Sequence, residues 1–204
     1  MRKSSTSVSE LSSYESLQVT IFKTNTAQPS IMVNVISTLI GEELVHEGGR
    51  VMEKYCGTVA SNNGCIYGIP CAARRVIKFD PDSKSITHIG PDLGGGFKWT
   101  RGAITDSGVI YCAPLNEDRG ILKIDTNTNT VTELNVNLLP ERGSEMWLSC
   151  AAALDGCIYF MPCDARCIMK INPNNNDAMS SVGNDLGRGE DKYSGTVVGI
   201  DGCV

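Results

Sequence analysis

From Tyr55 onward the chain is written as short apolar alternations separated by clusters of Gly, Asn, Asp and Pro. The phrase NGCIYGIPC (63–71) returns as DGCIYFMPC (155–163), and SGVIYCAPL (107–115) stands between them. Each phrase is followed by an apolar alternation, a turn-rich centre and a second apolar alternation: VIKFDPDSKSITHIG, ILKIDTNTNTVTELN and IMKINPNNNDAMSSVG. That order of apolar run, turn residues and apolar run is a hairpin in sequence form. No stretch sustains the 3.6-residue period of an amphipathic helix.

The glycines Gly64, Gly108, Gly156 and Gly202 are separated by 44, 48 and 46 residues. Nine positions before each stands a large aromatic, Tyr55, Trp99, Trp147 and Tyr193; Tyr67, Tyr111 and Tyr159 fall three after, and Pro70, Pro114 and Pro162 six after. A period of about 40–50 residues marks propellers and solenoids. One unit reads as a strand before the glycine, a tight turn, a strand through Ile-Tyr or its equivalent, and a loop after proline. A third strand around Lys78, Lys123 or Lys170 then leads through an Asp/Asn-rich turn to a fourth. The Asn-Gly and Asp-Gly pairs predict two-residue hairpin turns with positive φ, and proline fits the end of a strand because it donates nothing to a ladder. Four antiparallel strands in tandem repetition make the blade of a β-propeller.

The units resemble kelch-type propeller repeats. They are also similar to the blades of propeller lactonases and streptogramin lyases, whose phrasing is close to GILKIDTNTNTVTEL at 120–134. The resemblance runs from Tyr55 to Val204. It implies a four-stranded blade, while the double glycine that kelch repeats place after the second strand is replaced by Ile69-Pro70, Ala113-Pro114 and Met161-Pro162.

The expected organisation is a Ser-rich leader without fixed structure over 1–18, the worn end of a preceding blade over 19–54, and blades at 55–98, 99–146 and 147–192. A truncated unit over 193–204 completes it. The fold class is all-β: about three complete blades with partial blades at both ends, read as a partial propeller or, alternatively, as a closed four-bladed ring. An open arc would leave an apolar flank uncovered.

Composition changes this picture little. In a chain of 204 residues, 41% hydrophobic and 20% charged is ordinary for a globular domain. A net charge of −5, with the basic residues scattered, gives no footprint for a nucleic-acid backbone or an anionic membrane. The N-terminus has no apolar run for a secretory signal, and IMVNVISTLI (31–40) is too short and too polar to span a bilayer. The expected setting is cytoplasmic or nuclear, with no nucleic-acid or membrane partner.

Four residues before each repeated lysine stand Arg74, Arg119 and Arg166, in the loop after the proline. Asp92 and Asp185, with Glu43 in the equivalent place, lie in the connections on the same side. This recurring pair serves either as a ring of guanidinium groups for a carboxylate or phosphate or as an Arg-Asp brace within or between blades. The large aromatics, Trp99 and Trp147 above all, begin the innermost strand, where they wedge between blades or line the channel mouth. Nine cysteines, an odd count, argue against a complete disulfide framework. Cys65, Cys157, Cys203, Cys71 and Cys163 follow the repeat and read as small buried hydrophobes. Cys163 and Cys167 could offer two thiolates, but neither His46 nor His88 is near in sequence, so no metal or other cofactor is expected. His88 falls in an outer-strand alternation as a solvated histidine. No nucleophile elbow, zinc-protease motif or phosphate loop is present.

The expectation is a non-catalytic scaffold that recognises a protein partner through the face of post-proline loops, with Arg74, Arg119, Arg166, Trp99, Trp147, Asp92 and Asp185 as binding residues and no catalytic residue. A propeller hydrolase or lyase with part of its site in missing blades is the rival. A fragment without independent function is the third reading.

Overall fold

The computed structural model describes residues 53–116, 118–135 and 145–204. Among these are twelve strands and no α-helix: β1 (Tyr55–Ala60), β2 (Ile66–Pro70), β3 (Val76–Asp80), β4 (Ser85–Ile89), β5 (Trp99–Ile104), β6 (Val109–Pro114), β7 (Ile121–Asp125), β8 (Thr130–Leu134), β9 (Trp147–Ala152), β10 (Ile158–Pro162), β11 (Ile168–Asn172) and β12 (Ala178–Val182). They form three four-stranded antiparallel sheets, each a meander in sequence order. These are blades of a partial β-propeller. The innermost strands β1, β5 and β9 are neighbours in turn, with β2 also against β5 and β6 against β9.

The repeated aromatic and the repeated proline turn out to be cross-strand partners: Tyr55 faces Pro70, Trp99 faces Pro114 and Trp147 faces Pro162, each beside a register shift. This pairing explains why both recur at fixed distances from the turn glycine. Strand β1 approaches β5 so closely that a Cβ on Gly57 would sit 2.6 Å from the Thr100 carbonyl oxygen. Two apolar clusters fill the spaces between sheets. Val59, Tyr67, Ile69 and Val76 of the first sheet meet Trp99, Ile110, Leu122 and Ile124 of the second; Ala103, Tyr111 and Ile121 of the second meet Trp147, Ile158, Phe160 and Met169 of the third. The outer strands β4 and β12 bury nothing fully, which suits their more polar sequences, and His88 is exposed on β4.

The turn chemistry differs from the sequence expectation. Gly64, Gly108 and Gly156 have φ of 82°, 83° and 76°, whereas Asn63, Ser107 and Asp155 before them do not enter the positive-φ region. Gly64 N–H donates to the Ser61 carbonyl and Ser61 N–H to that of Cys65, with the same pair of bonds at Thr105–Val109 and Ala153–Cys157. This is a four-residue turn closed by a glycine bulge, not a two-residue primed turn. The Asn63 and Asp155 side chains accept the N–H of Cys65 and Cys157, so these side chains cap the turn and need no left-handed backbone. The same turn forms at Gly199–Cys203, but no strand forms within 193–204. Cys203, unlike the buried Cys65 and Cys157, is therefore exposed. Between the third and fourth strands, Asp80, Asp125 and Asn172 each accept backbone N–H groups from the turn that follows. His46 and Glu43 lie outside the described residues.

Candidate functional site

At one end of the sheets, the β2–β3, β6–β7 and β10–β11 loops meet the segments that enter the innermost strands. Backbone bonds hold them: Cys71 N–H to Lys54 O (2.9 Å), Leu115 N–H to Lys98 O (2.8 Å) and Cys163 N–H to Met146 O (3.0 Å). The connections leaving the outer strands come to the same loops, with Leu93 N–H on Arg74 O (2.7 Å) and Leu186 N–H on Arg166 O (2.8 Å). Antiparallel pairing of an even number of strands brings all these termini to one face.

The three arginines stand on this face in two arrangements. Arg74 donates Nε and Nη2 to one oxygen of Asp92, at 2.9 and 2.6 Å, while the other oxygen accepts Gly94 N–H. These bonds, the Arg74 one foremost, hold the Asp92 carboxyl below its usual range. Arg166 grips Asp185 with Nε and Nη2, and Gly187 N–H again completes the acid. Both pairs lie within one sheet's unit and are half-exposed. Arg119 behaves differently: it reaches Glu133 on β8 (3.3 Å) and the Leu93 carbonyl of the preceding unit (3.0 Å), with its guanidinium 5.5 Å from the centre of a Trp99 ring. Arg119 thus ties two sheets together.

Trp99 and Trp147 are buried. Trp99 Nε1 donates to Gly120 O at 2.8 Å and Trp147 Nε1 to Cys167 O at 3.2 Å, so each indole fixes the loop after its own sheet's second strand. Tyr55 does the same with its hydroxyl on Arg75 O (3.2 Å). What the indoles present to the face is the loop they position, not their own rings.

Two columns of the repeat escaped the sequence reading. Immediately before the aromatics stand Lys54, Lys98, Met146 and Lys192; one position earlier stand Glu53, Phe97, Glu145 and Asp191. Lys98 is buried, with its ammonium on Cys71 O (2.9 Å) and Gly96 O (3.0 Å) and no carboxylate in bonding range. Burial, then the neighbouring Arg119, lowers it from the ordinary 10.5 to about 8. Lys192 repeats the arrangement on Asp164 O and Gly189 O.

The acidic column brings Glu145, Cys163 and Asp191 together, with one donor atom of each within 4.8 Å of the others. The fully buried Cys163 thiol donates to Asp191 Oδ1 at 3.6 Å. Burial and the carboxylates of Asp164 and Asp191 push it up to about 11. Cys167, which sequence spacing paired with Cys163, is not in this group. The equivalent Cys71 is pushed up to about 12 by burial and then by the Cys56 thiol. Aligning residues one and two places before each aromatic would have exposed both columns.

At the opposite end, hydroxyls join the sheets. Tyr67 of β2 bonds Thr126 O (3.2 Å) and Asn129 Oδ1 (3.3 Å) in the β7–β8 turn. Tyr111 of β6 bonds Asp177 Oδ1 in the β11–β12 turn (2.5 Å), and Lys123 bonds the other oxygen of Asp177 (2.5 Å). Tyr159 instead bonds Asp155 of its own sheet at 2.8 Å, shared with Lys170.

No protein-family model matches the chain, and no curated protein sequence matches it. Solved structures do. A virginiamycin B lyase from Staphylococcus aureus is similar over 74% of this chain and 46% of its own, at 12% identity and a TM-score of 0.57. A streptogramin B lyase is similar over 72% of this chain and 44% of its own, at 16% identity and 0.56. A Bacteroides uniformis protein named as a candidate 6-phosphogluconolactonase matches over 72% and 45%, at 16% identity and 0.52. The chain spans less than half the length of these structures, and the likeness is one of fold: propellers of four-stranded antiparallel blades.

Proposed function

We propose that the protein is a non-catalytic, kelch-like scaffold that recognises a protein partner with the loop face carrying Arg74, Arg119 and Arg166. The observation that supports this reading is the bracing of that face. Each loop is fixed by a buried ring's hydrogen bond or a guanidinium pair, and Arg74 and Arg166 keep roughly a third of their side chains in water beside Asp92 and Asp185. A loop face held on a rigid sheet lowers the ordering cost of binding. Trp99 and Trp147 contribute as supports beneath it, and Arg119 at the joint between two sheets. The lyases and the lactonase candidate lend the framework only; their chemistry is not transferred to this chain.

The test compares the 204-residue chain with its Arg74→Ala/Arg119→Ala/Arg166→Ala variant as affinity baits, after matched thermal melts establish that both are folded. A protein retained by the first and lost from the second supports the reading. A partner held equally by both overturns it.

A further inference from the structure

We propose that Glu145, Cys163 and Asp191 bind a divalent metal ion of the class that accepts a thiolate, zinc foremost. This goes beyond the scaffold reading and does not depend on it. The three donor atoms come from separate segments, the entry to β9, the end of β10 and the connection after β12, and converge within 4.8 Å of one another. An ion held by all three would take bond lengths of about 2.0–2.3 Å, which asks for side-chain rotation from that spacing.

Two independent features point to a cation there. The first is the density of carboxylates: Glu145 and Asp191 close on a fully buried thiol with Asp164 bonded to the Asp191 backbone, and among the described residues none of the three is in an ion pair. Lys192 follows Asp191 in the chain, and its ammonium donates to the carbonyls of Asp164 and Gly189 rather than to any of these carboxylates. Carboxylates brought this close repel one another, and a bound cation reverses the sign of that interaction. The second is that the group breaks the repeat. At the equivalent joint between the first two sheets, Glu53 and Cys71 recur, but Phe97 stands where Asp191 would be. A brace needed by every blade would be copied; this constellation occurs at one joint.

On binding, the Cys163 S–H bond breaks, its electron pair becomes the sulfur–metal bond, and the proton passes through Asp191 Oδ1, which already accepts its hydrogen bond, to solvent water, leaving Asp191 ionised for the ion. The ion exchanges water for the two carboxylates, and no oxidation state changes. Three protein ligands leave a fourth position for water or an incoming donor. Asp164 is a positioning residue, since its Oδ1 accepts Asp191 N–H at 3.1 Å and sets the approach of that ligand.

Cobalt(II) chloride, titrated into the reduced 204-residue chain, is the probe. The expected result is a thiolate-to-cobalt charge-transfer band that saturates at one equivalent and is bleached by one equivalent of zinc. Cys163→Ser should abolish it. Glu145→Gln and Asp191→Asn change exposed residues, so the chain stays folded, and each should weaken binding at least about tenfold, the lower bound seen for lost outer-shell partners. No thiolate band in the first equivalent overturns the proposal. So does a band that survives Cys163→Ser, or one unchanged in both carboxylate variants.

Discussion

Replacing Lys98 by methionine, the residue that the third sheet carries in the same column, tests how burial controls charge at the loop face. Lys98 titrates at about 8 in the folded chain against 10.5 ordinarily. The folded state therefore binds fewer protons than the unfolded state between these values, so stability must rise with pH across that window. At 1.36 kcal/mol per unit the wild-type gain is about 3 kcal/mol, fully present only above pH 10.5 and absent below about 8. In Lys98→Met the gain disappears. At pH 7 the variant loses two bonds to carbonyls but also the desolvation of an ammonium, and these offset to within about 1.5 kcal/mol. Lys98→Ala, which leaves a cavity as well, costs about 2–4 kcal/mol at pH 7. Urea unfolding of wild type and Lys98→Met at intervals from pH 7 to 11 reads the difference directly, because all other titrations are common to both. Two parallel stability curves would refute the reasoning.

Trp99→Phe leaves the Gly120 carbonyl without its buried donor and should cost about 1–3 kcal/mol beyond lost packing, with Trp147→Phe milder because its bond is 3.2 Å against 2.8 Å; urea midpoints decide the order. Gly120→Ala would set a Cβ 1.9 Å from Leu134 O, and circular dichroism melts should show the largest loss of any alanine variant at this face. Asp177→Asn removes the charge that Lys123 pairs with and one of the two acceptor oxygens that Tyr111 and Lys123 occupy, so hydrogen exchange should speed in β6 and β11 while β2 and β3 keep their protection. Under native conditions a thiol reagent should label Cys56 and Cys203 first and spare Cys65, Cys71, Cys112, Cys157 and Cys163 until unfolding.

The blade was legible in the sequence because its determinants are local and copied. Alternation gives strands, glycine and Asx residues give turns, and the aromatic and the proline keep their spacing because they face each other across a hairpin. The turn type was misread because Asn-Gly favours the two-residue form, and only the bond from Ser61 N–H to Cys65 O shows that the side chain, not the backbone, of Asn63 adapts. The site was less legible. Arg74 and Arg166 could be matched to Asp92 and Asp185 by column, but Arg119 reaches Glu133 within its own sheet and Leu93 across a joint, and no column describes either. Glu145 and Asp191 are separated by a whole unit in the chain, and their meeting over Cys163 follows from loop bonds, Lys192 N–H to Cys163 O and Asp191 N–H to Asp164 Oδ1. The indoles of Trp99 and Trp147 look like recognition groups in a list of residues; burial turns them inward.

The tyrosine joints at the far end have a direction. Tyr67 and Tyr111 each reach forward to the turn of the sheet that follows, so the second sheet carries both a donor for its successor and an acceptor for its predecessor. Such an interface is head-to-tail rather than self-complementary. Duplicating one unit of the gene therefore duplicates both halves of the joint at once, and the new unit is compatible with its neighbours on arrival. Tyr159, resting on Asp155, shows the same donor satisfied within its own sheet. An array built this way can change its number of units by whole steps without any single joint having to be reinvented.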